Sequence, residues 1–134
     1  MKRVLIIDDQ ADLRRLVRWS LELLEPAAEL HEANGASAGL HMVQQVKPDL
    51  VLLDVMMPGP IDGLAVCRQI RADEQLASTK VILISARGQA ADVRSGNQAG
   101  AHAYIVKPFS PQRLLETVER LLAAPNLSST EASS

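Results

Sequence analysis

Short apolar runs alternate with longer stretches of helical period along this chain. The runs Arg3–Ile7, Leu50–Leu53, Val81–Ile84 and Ala103–Val106 are dominated by aliphatic residues, as expected of strands covered on both faces of a parallel sheet. A further run, Ala28–Glu32, is shorter of apolar residues and predicts a strand at an edge. Between the first two strands, Leu13, Leu16, Val17, Leu21 and Leu24 fall on one stripe, predicting a helix over Asp12–Leu24. Trp19 lies off that stripe and is expected to face outward, against a partner or against its own helix surface. Gly35–Val46 and Gly63–Ala72 read as two more helices. Ala90–Gln98 reads as a fourth, with Val93 as its only large apolar residue. Gly96 inside it costs about 1 kcal/mol relative to Ala, so this helix is expected to be weakly held. The last helix starts near Pro111 with Ser110 as its N-cap and turns Leu114, Val118, Leu121 and Leu122 inward.

This alternation predicts an α/β fold, a doubly wound five-stranded parallel sheet with five helices. The chain has 134 residues, the length of one domain. The domain is expected over residues 1–124, with 125–134 a flexible tail or linker stump, because the Ser-rich end after Pro125 has no period. With 47% hydrophobic but only 2% aromatic residues, the core must be aliphatic. A net charge of -2 supplies no basic field for nucleic acid or an anionic membrane. One cysteine, Cys67, allows no disulfide within the chain and suits a reducing compartment; it reads as a small buried hydrophobe. The apolar run after Met1-Lys2-Arg3 is too short for a signal peptide or a membrane span, so a cytoplasmic location is expected.

The polar residues that follow the strands carry the chemistry. Asp8-Asp9 follow the first, Asp54 the third, Ser85 the fourth and Lys107-Pro108 the fifth. In an open parallel sheet all strand carboxyl ends share one edge, where ligands bind. Clustered carboxylates repel, and so either raise a pKa or hold a cation. Hard oxygen donors suit Mg²⁺, which keeps several waters and takes one or two carboxylates plus a phosphate oxygen. A lysine charge and a hydroxyl suit the remaining oxygens of a phosphoryl group, whose transfer needs chiefly positioning and charge neutralisation. Taken singly, an Asp pair is an ordinary turn or cap, and a Ser or Lys-Pro an ordinary loop feature. Their joint occurrence at four strand ends is the informative observation.

These residues resemble the receiver domain of bacterial two-component response regulators, of which the single-domain chemotaxis regulators are one kind. The resemblance spans about residues 2–124 and rests on Val4-Leu5-Ile6-Ile7-Asp8-Asp9, Leu52-Leu53-Asp54-Val55-Met56-Met57-Pro58-Gly59, Ile84-Ser85-Ala86 and Tyr104-Ile105-Val106-Lys107-Pro108-Phe109. It implies a flavodoxin-like sheet of order 2-1-3-4-5. It implies Asp54 as phosphoacceptor, and Asp8, Asp9, Asp54 and the Met56 backbone carbonyl as ligands of Mg²⁺, with Mn²⁺ able to substitute. It further implies Lys107 as the phosphate-pairing lysine, Ser85 as the switch hydroxyl, Tyr104 as the switch aromatic and a cis bond before Pro108. The stretch between Asp54 and Asp62-Gly63 is one residue longer than the family's usual loop, and Gln10 stands where an acid is common. Gly100-Ala101-His102-Ala103 lacks the usual acids, and His102 is expected to be exposed and outside any phosphorelay.

The expected function is a phosphoacceptor switch rather than an enzyme. Asp54 takes a phosphoryl group from a sensor histidine kinase or histidine phosphotransfer protein, and the surface of the fourth helix, fifth strand and fifth helix then controls a downstream protein or fused effector domain. A monomer, or a weak dimer through that surface, is expected. The alternative is an interaction module of the same fold that works without phosphorylation. A phosphatase-type hydrolase would place a second aspartate two residues after the nucleophile, where this chain has Met56, and no Gly-rich loop follows the first strand to bind a nucleotide.

Overall fold

The computed structural model describes residues 1–124, so the expected tail or linker stump lies outside the described residues. Five strands run β1 (Arg3–Ile7), β2 (Glu29–Ala33), β3 (Leu50–Asp54), β4 (Lys80–Ser85) and β5 (Ala103–Val106). All pair in parallel in the order β2-β1-β3-β4-β5. The helices are α1 (Ala11–Ser20), α2 (Ala36–Val46), α3 (Gly63–Ala72), α4 (Ala90–Gln98) and α5 (Pro111–Ala123).

Alternate strand residues feed two aliphatic cores. Leu5, Ile7, Val51, Leu53, Val81 and Leu83 meet α2 and α3 through Val43, Val66, Cys67 and Ile70. Val4, Ile6, Leu52, Ile82, Ile84 and Ile105 meet α1, the turn after it and α5 through Val17, Leu21, Leu114, Val118 and Leu121. Cys67 is buried as expected, and desolvation pushes its thiol up to about 11. β2 lies at an edge as its polarity predicts, and β5 forms the opposite edge, with Val106 exposed.

Helix boundaries follow local chemistry. Asp62 caps α3 by accepting from the Ala65 N–H (3.0 Å), and Ser110 caps α5 by accepting from the Arg113 N–H (3.0 Å). Lys47, at φ 50°, ends α2 ahead of Pro48. The first helix is shorter than its apolar stripe predicts. It ends at Ser20, and a 3₁₀ turn over Leu21–Leu23 carries the chain onward, still burying Leu21. Ser20 hides its hydroxyl on the Leu16 carbonyl (2.8 Å), so a polar residue occupies part of the buried stripe. Trp19 is 67% exposed and lines a shallow groove with Asp12, Arg15, Leu16, Arg18 and Glu22.

In α4, Gly96 is the buried residue and Val93 is half-buried. A Cβ at Gly96 would lie 2.7 Å from Cδ2 of Tyr104, so the glycine that weakens this helix is also what lets the aromatic ring seat against it.

His102 presents an exposed outer edge, but its inner nitrogen is engaged. Nδ1 accepts the Val81 N–H (3.0 Å), while the His102 N–H reaches the Val81 carbonyl (2.8 Å). Burial of that side, with Arg71 and Lys80 nearby, lowers its pKa from 6.5 to about 4. The folded protein therefore binds fewer protons than the unfolded chain between these values. The stabilisation is complete above pH 6.5 and is lost as pH falls toward about 4. In His102→Asn the side-chain oxygen can accept the same N–H without titrating. Its urea midpoint should drop less than the wild type's between about pH 7 and pH 4.5; equal drops would rule this out.

Candidate phosphoryl-accepting site

The carboxyl ends of β1, β3, β4 and β5 converge as the strand order requires. Oxygens of Asp8, Asp9 and Asp54 lie within 4.8 Å of one another. Lys107 reaches over them from the end of β5, its Nζ 3.0 Å from Asp54 Oδ1 and 3.9 Å from Asp8 Oδ2. Asp8 and Asp54 are buried and Asp9 is exposed, so the pocket has a deep wall and an open lip.

Desolvation is the largest influence on both buried acids and raises their pKa values. The Asp8 carboxyl is raised further by Asp54 and lowered by the Gln10 N–H and Lys107; the Asp54 carboxyl is lowered by Lys107 and the Met56 N–H. One ammonium faces three carboxylates. That excess of hard, crowded oxygens fits a small divalent cation, with Asp8, Asp9 and Asp54 able to hold it.

The backbone around Asp54 is fixed closely. The Val55 N–H bonds the Ile84 carbonyl (3.0 Å), and the Gly63 N–H bonds the Val55 carbonyl (2.9 Å). A Cβ on Gly63 would lie 2.7 Å from the Val55 Cα and run into the Asp54 carbonyl oxygen, so α3 can begin here only with glycine. Between these anchors Val55 and Met57 are buried, whereas Met56 is 48% exposed. The loop turns outward at Pro58-Gly59-Pro60, exposed, with Gly59 at φ 110° beside the start of α2. Asp62 and Gly63 still open α3 where the sequence places it.

Ser85 is fully buried at the end of β4, its Oγ accepting the Arg87 N–H (3.1 Å). That bond leaves the hydroxyl's own proton unused. The Lys107 N–H bonds the Ser85 carbonyl (2.8 Å), and the Lys107–Pro108 bond is cis. Tyr104 lies half-buried against Gly96 and Leu83, its hydroxyl donating to the Arg87 carbonyl (2.6 Å). Tyr104 and Ser85 thus hold the same short loop from two sides.

Residues 4–119 match the family model described as the response regulator receiver domain. The chain belongs to this family. The receiver is 41% identical to the transcriptional regulatory protein ResD of Bacillus subtilis over 120 residues, 90% of this chain and 48% of ResD. It is 37% identical to the DNA-binding dual master transcriptional regulator RpaA of Synechocystis, covering 91% of this chain and 49% of RpaA. The chain thus spans about half the length of these curated relatives. Among solved structures it superposes on the signal receiver domain of a DNA-binding response regulator from Colwellia psychrerythraea with a TM-score of 0.85 at 28% identity, covering 92% of this chain and all of that one (100%). Receiver domains are signalling modules of two-component systems that act with histidine kinases and effector domains. No helix among the described residues is long and apolar enough to cross a membrane.

One polar residue of this receiver's site had not stood out in the sequence. Arg14, on α1, places Nη1 2.7 Å from the Asp8 carbonyl and Nε 3.0 Å from Glu32. The available signal was its spacing: an arginine in the first turn of a helix that starts just after the acidic pair points back over that pair.

Proposed function

We propose that this receiver accepts a phosphoryl group on Asp54 in a Mg²⁺-dependent step and converts it into a change of surface around α4, β5 and α5. The single observation that supports this reading most is Lys107 bridging toward Asp54 and Asp8 across a three-carboxylate pocket. Bound Mg²⁺ would supply charge neutralisation for the phosphoryl oxygens, with Asp8, Asp9, Asp54 and the Met56 carbonyl as its ligands. A carboxylate oxygen of Asp54 attacks phosphorus in line. The bond from phosphorus to the donor's imidazole nitrogen, or to a small donor's carboxylate oxygen, breaks, and its electron pair leaves with the donor.

Lys107 then pairs with a phosphoryl oxygen instead of the bare Asp54 carboxylate, and the Ser85 hydroxyl donates to another. Drawing Ser85 inward loosens its bond to the Arg87 N–H, on the loop that also receives the Tyr104 hydroxyl. Tyr104 packs on Gly96 of the thinly anchored α4, so a shift of this loop moves the helix with it.

The donor is a sensor histidine kinase or a histidine phosphotransfer protein. The output is a downstream protein or a fused effector domain, the latter supported by relatives that are transcriptional regulators about twice this length. Incubation with acetyl phosphate and Mg²⁺, followed by intact-mass measurement and peptide mapping, tests the reading. One added phosphoryl group on Asp54 is expected, and none after chelation. No gain with metal present, or a gain mapped elsewhere, would sink it.

A further inference from the structure

We propose that Arg14 is a positioning residue for the metal-binding pair, holding the Asp8–Asp9 turn through the Asp8 backbone carbonyl. The inference rests on the reading of Asp8, Asp9 and Asp54 as a Mg²⁺ site.

β1 ends at Ile7, so Asp8 lies just past the sheet. Its N–H makes a last bond to the Ala33 carbonyl (3.1 Å). Its carbonyl has no strand partner beyond that point, and a buried carbonyl without a partner is destabilising. Arg14 Nη1 supplies the bond at 2.7 Å. The Gln10 N–H takes Asp8 Oδ1 (2.8 Å). Asp8 is thus held at its N–H, its carbonyl and one carboxylate oxygen. Oδ2 is left as the oxygen on the Lys107 side of the pocket.

The arginine is itself fixed. Its Nε bonds Glu32 Oε1 (3.0 Å), Glu32 Oε2 takes Arg18 Nε (3.1 Å), and the Arg14 side chain is only 18% exposed. Glu32 precedes Ala33, the residue whose carbonyl holds the Asp8 N–H. One end of β2 therefore positions Asp8 twice, directly through Ala33 and indirectly through Glu32 and Arg14. A simple surface ion pair between Arg14 and Glu32 would not account for the short bond to the Asp8 carbonyl. A lysine can replace it only in part, since a single ammonium lacks the planar fork that reaches two acceptors. Loss of a partner that orients a metal ligand typically weakens metal binding by about ten- to a hundredfold.

The test is Mg²⁺ titration by calorimetry on the intact chain, with phosphorylation rates from acetyl phosphate measured across Mg²⁺ concentrations. Arg14→Ala should weaken Mg²⁺ about tenfold or more, while saturating Mg²⁺ restores most of the rate. Arg14→Lys should recover part of the affinity, and Glu32→Ala should fall between wild type and Arg14→Ala. Arg15→Ala, on the solvent side of the same helix, should stay within about twofold of wild type. If Arg14→Ala does not fold, Arg14→Lys and Glu32→Ala decide the matter. Unchanged affinity in a folded variant, or a lower rate at saturating Mg²⁺ with unchanged affinity, overturns the positioning role alone. A wild type that binds no Mg²⁺ overturns the functional reading as well.

Discussion

Asp54→Asn should abolish phosphoryl uptake and yet raise the stability of the metal-free protein by about 1 kcal/mol. Asp8 and Asp54 are 6% and 3% exposed, and burial lifts both pKa values. Holding them ionised at neutral pH therefore works against folding. Asparagine keeps an oxygen for the Lys107 ammonium and the Met56 N–H but removes one of three crowded charges. Lys107 retains Asp8 as an ionic partner, so no buried cation is stranded. Thermal melts in chelator should rank the variant above wild type. Adding Mg²⁺ should reverse the order, since a ligand at a hundred times its Kd stabilises by about 2.7 kcal/mol and the variant has lost a ligand oxygen. A lower midpoint for the variant in chelator would mean that the Lys107–Asp54 pair outweighs the crowding.

Gly63→Ala should destabilise the fold by about 3 kcal/mol and slow phosphoryl uptake on the order of a hundredfold. The added methyl meets backbone at Asp54 and Val55, which cannot rotate aside as a side chain can. Relief requires moving either the start of α3 or the peptide that carries Asp54. Gly35→Ala is the matched control, because a methyl there meets nothing within 4 Å. As the N-cap of α2 it should lose no more than about 1 kcal/mol and keep its uptake rate. Denaturant midpoints and initial phosphorylation rates of the two variants check this; equal behaviour would refute the steric account.

The strand count and helix count were legible because the aliphatic runs are long, and parallel topology then forces their polar ends together; the strand order followed only from the family resemblance. The placement of Asp8, Asp9, Asp54, Ser85 and Lys107 was legible for the same reason: each ends a strand or lies within two residues of its end. What escaped were features with no periodic signature. Ser20 was not read into the buried stripe of the first helix because its hydroxyl is satisfied locally, by the carbonyl four residues back. Gly96 looked like a defect, since a propensity scale knows nothing of the Tyr104 ring lying over it. Arg14 is indistinguishable in composition from Arg15, its exposed neighbour; only the three-dimensional direction of the side chain separates them. His102 had been expected only to be exposed, and its inward bond to Val81 depends on two strands starting side by side.

Trp19 is the only tryptophan in the chain, and two-thirds of its surface is open to solvent. Its emission is therefore already red in the native protein and should barely change colour when the chain unfolds. A blue shift would have to come from something settling onto the outer face of α1. The native indole makes a poor thermometer of folding and a ready label-free sensor of docking.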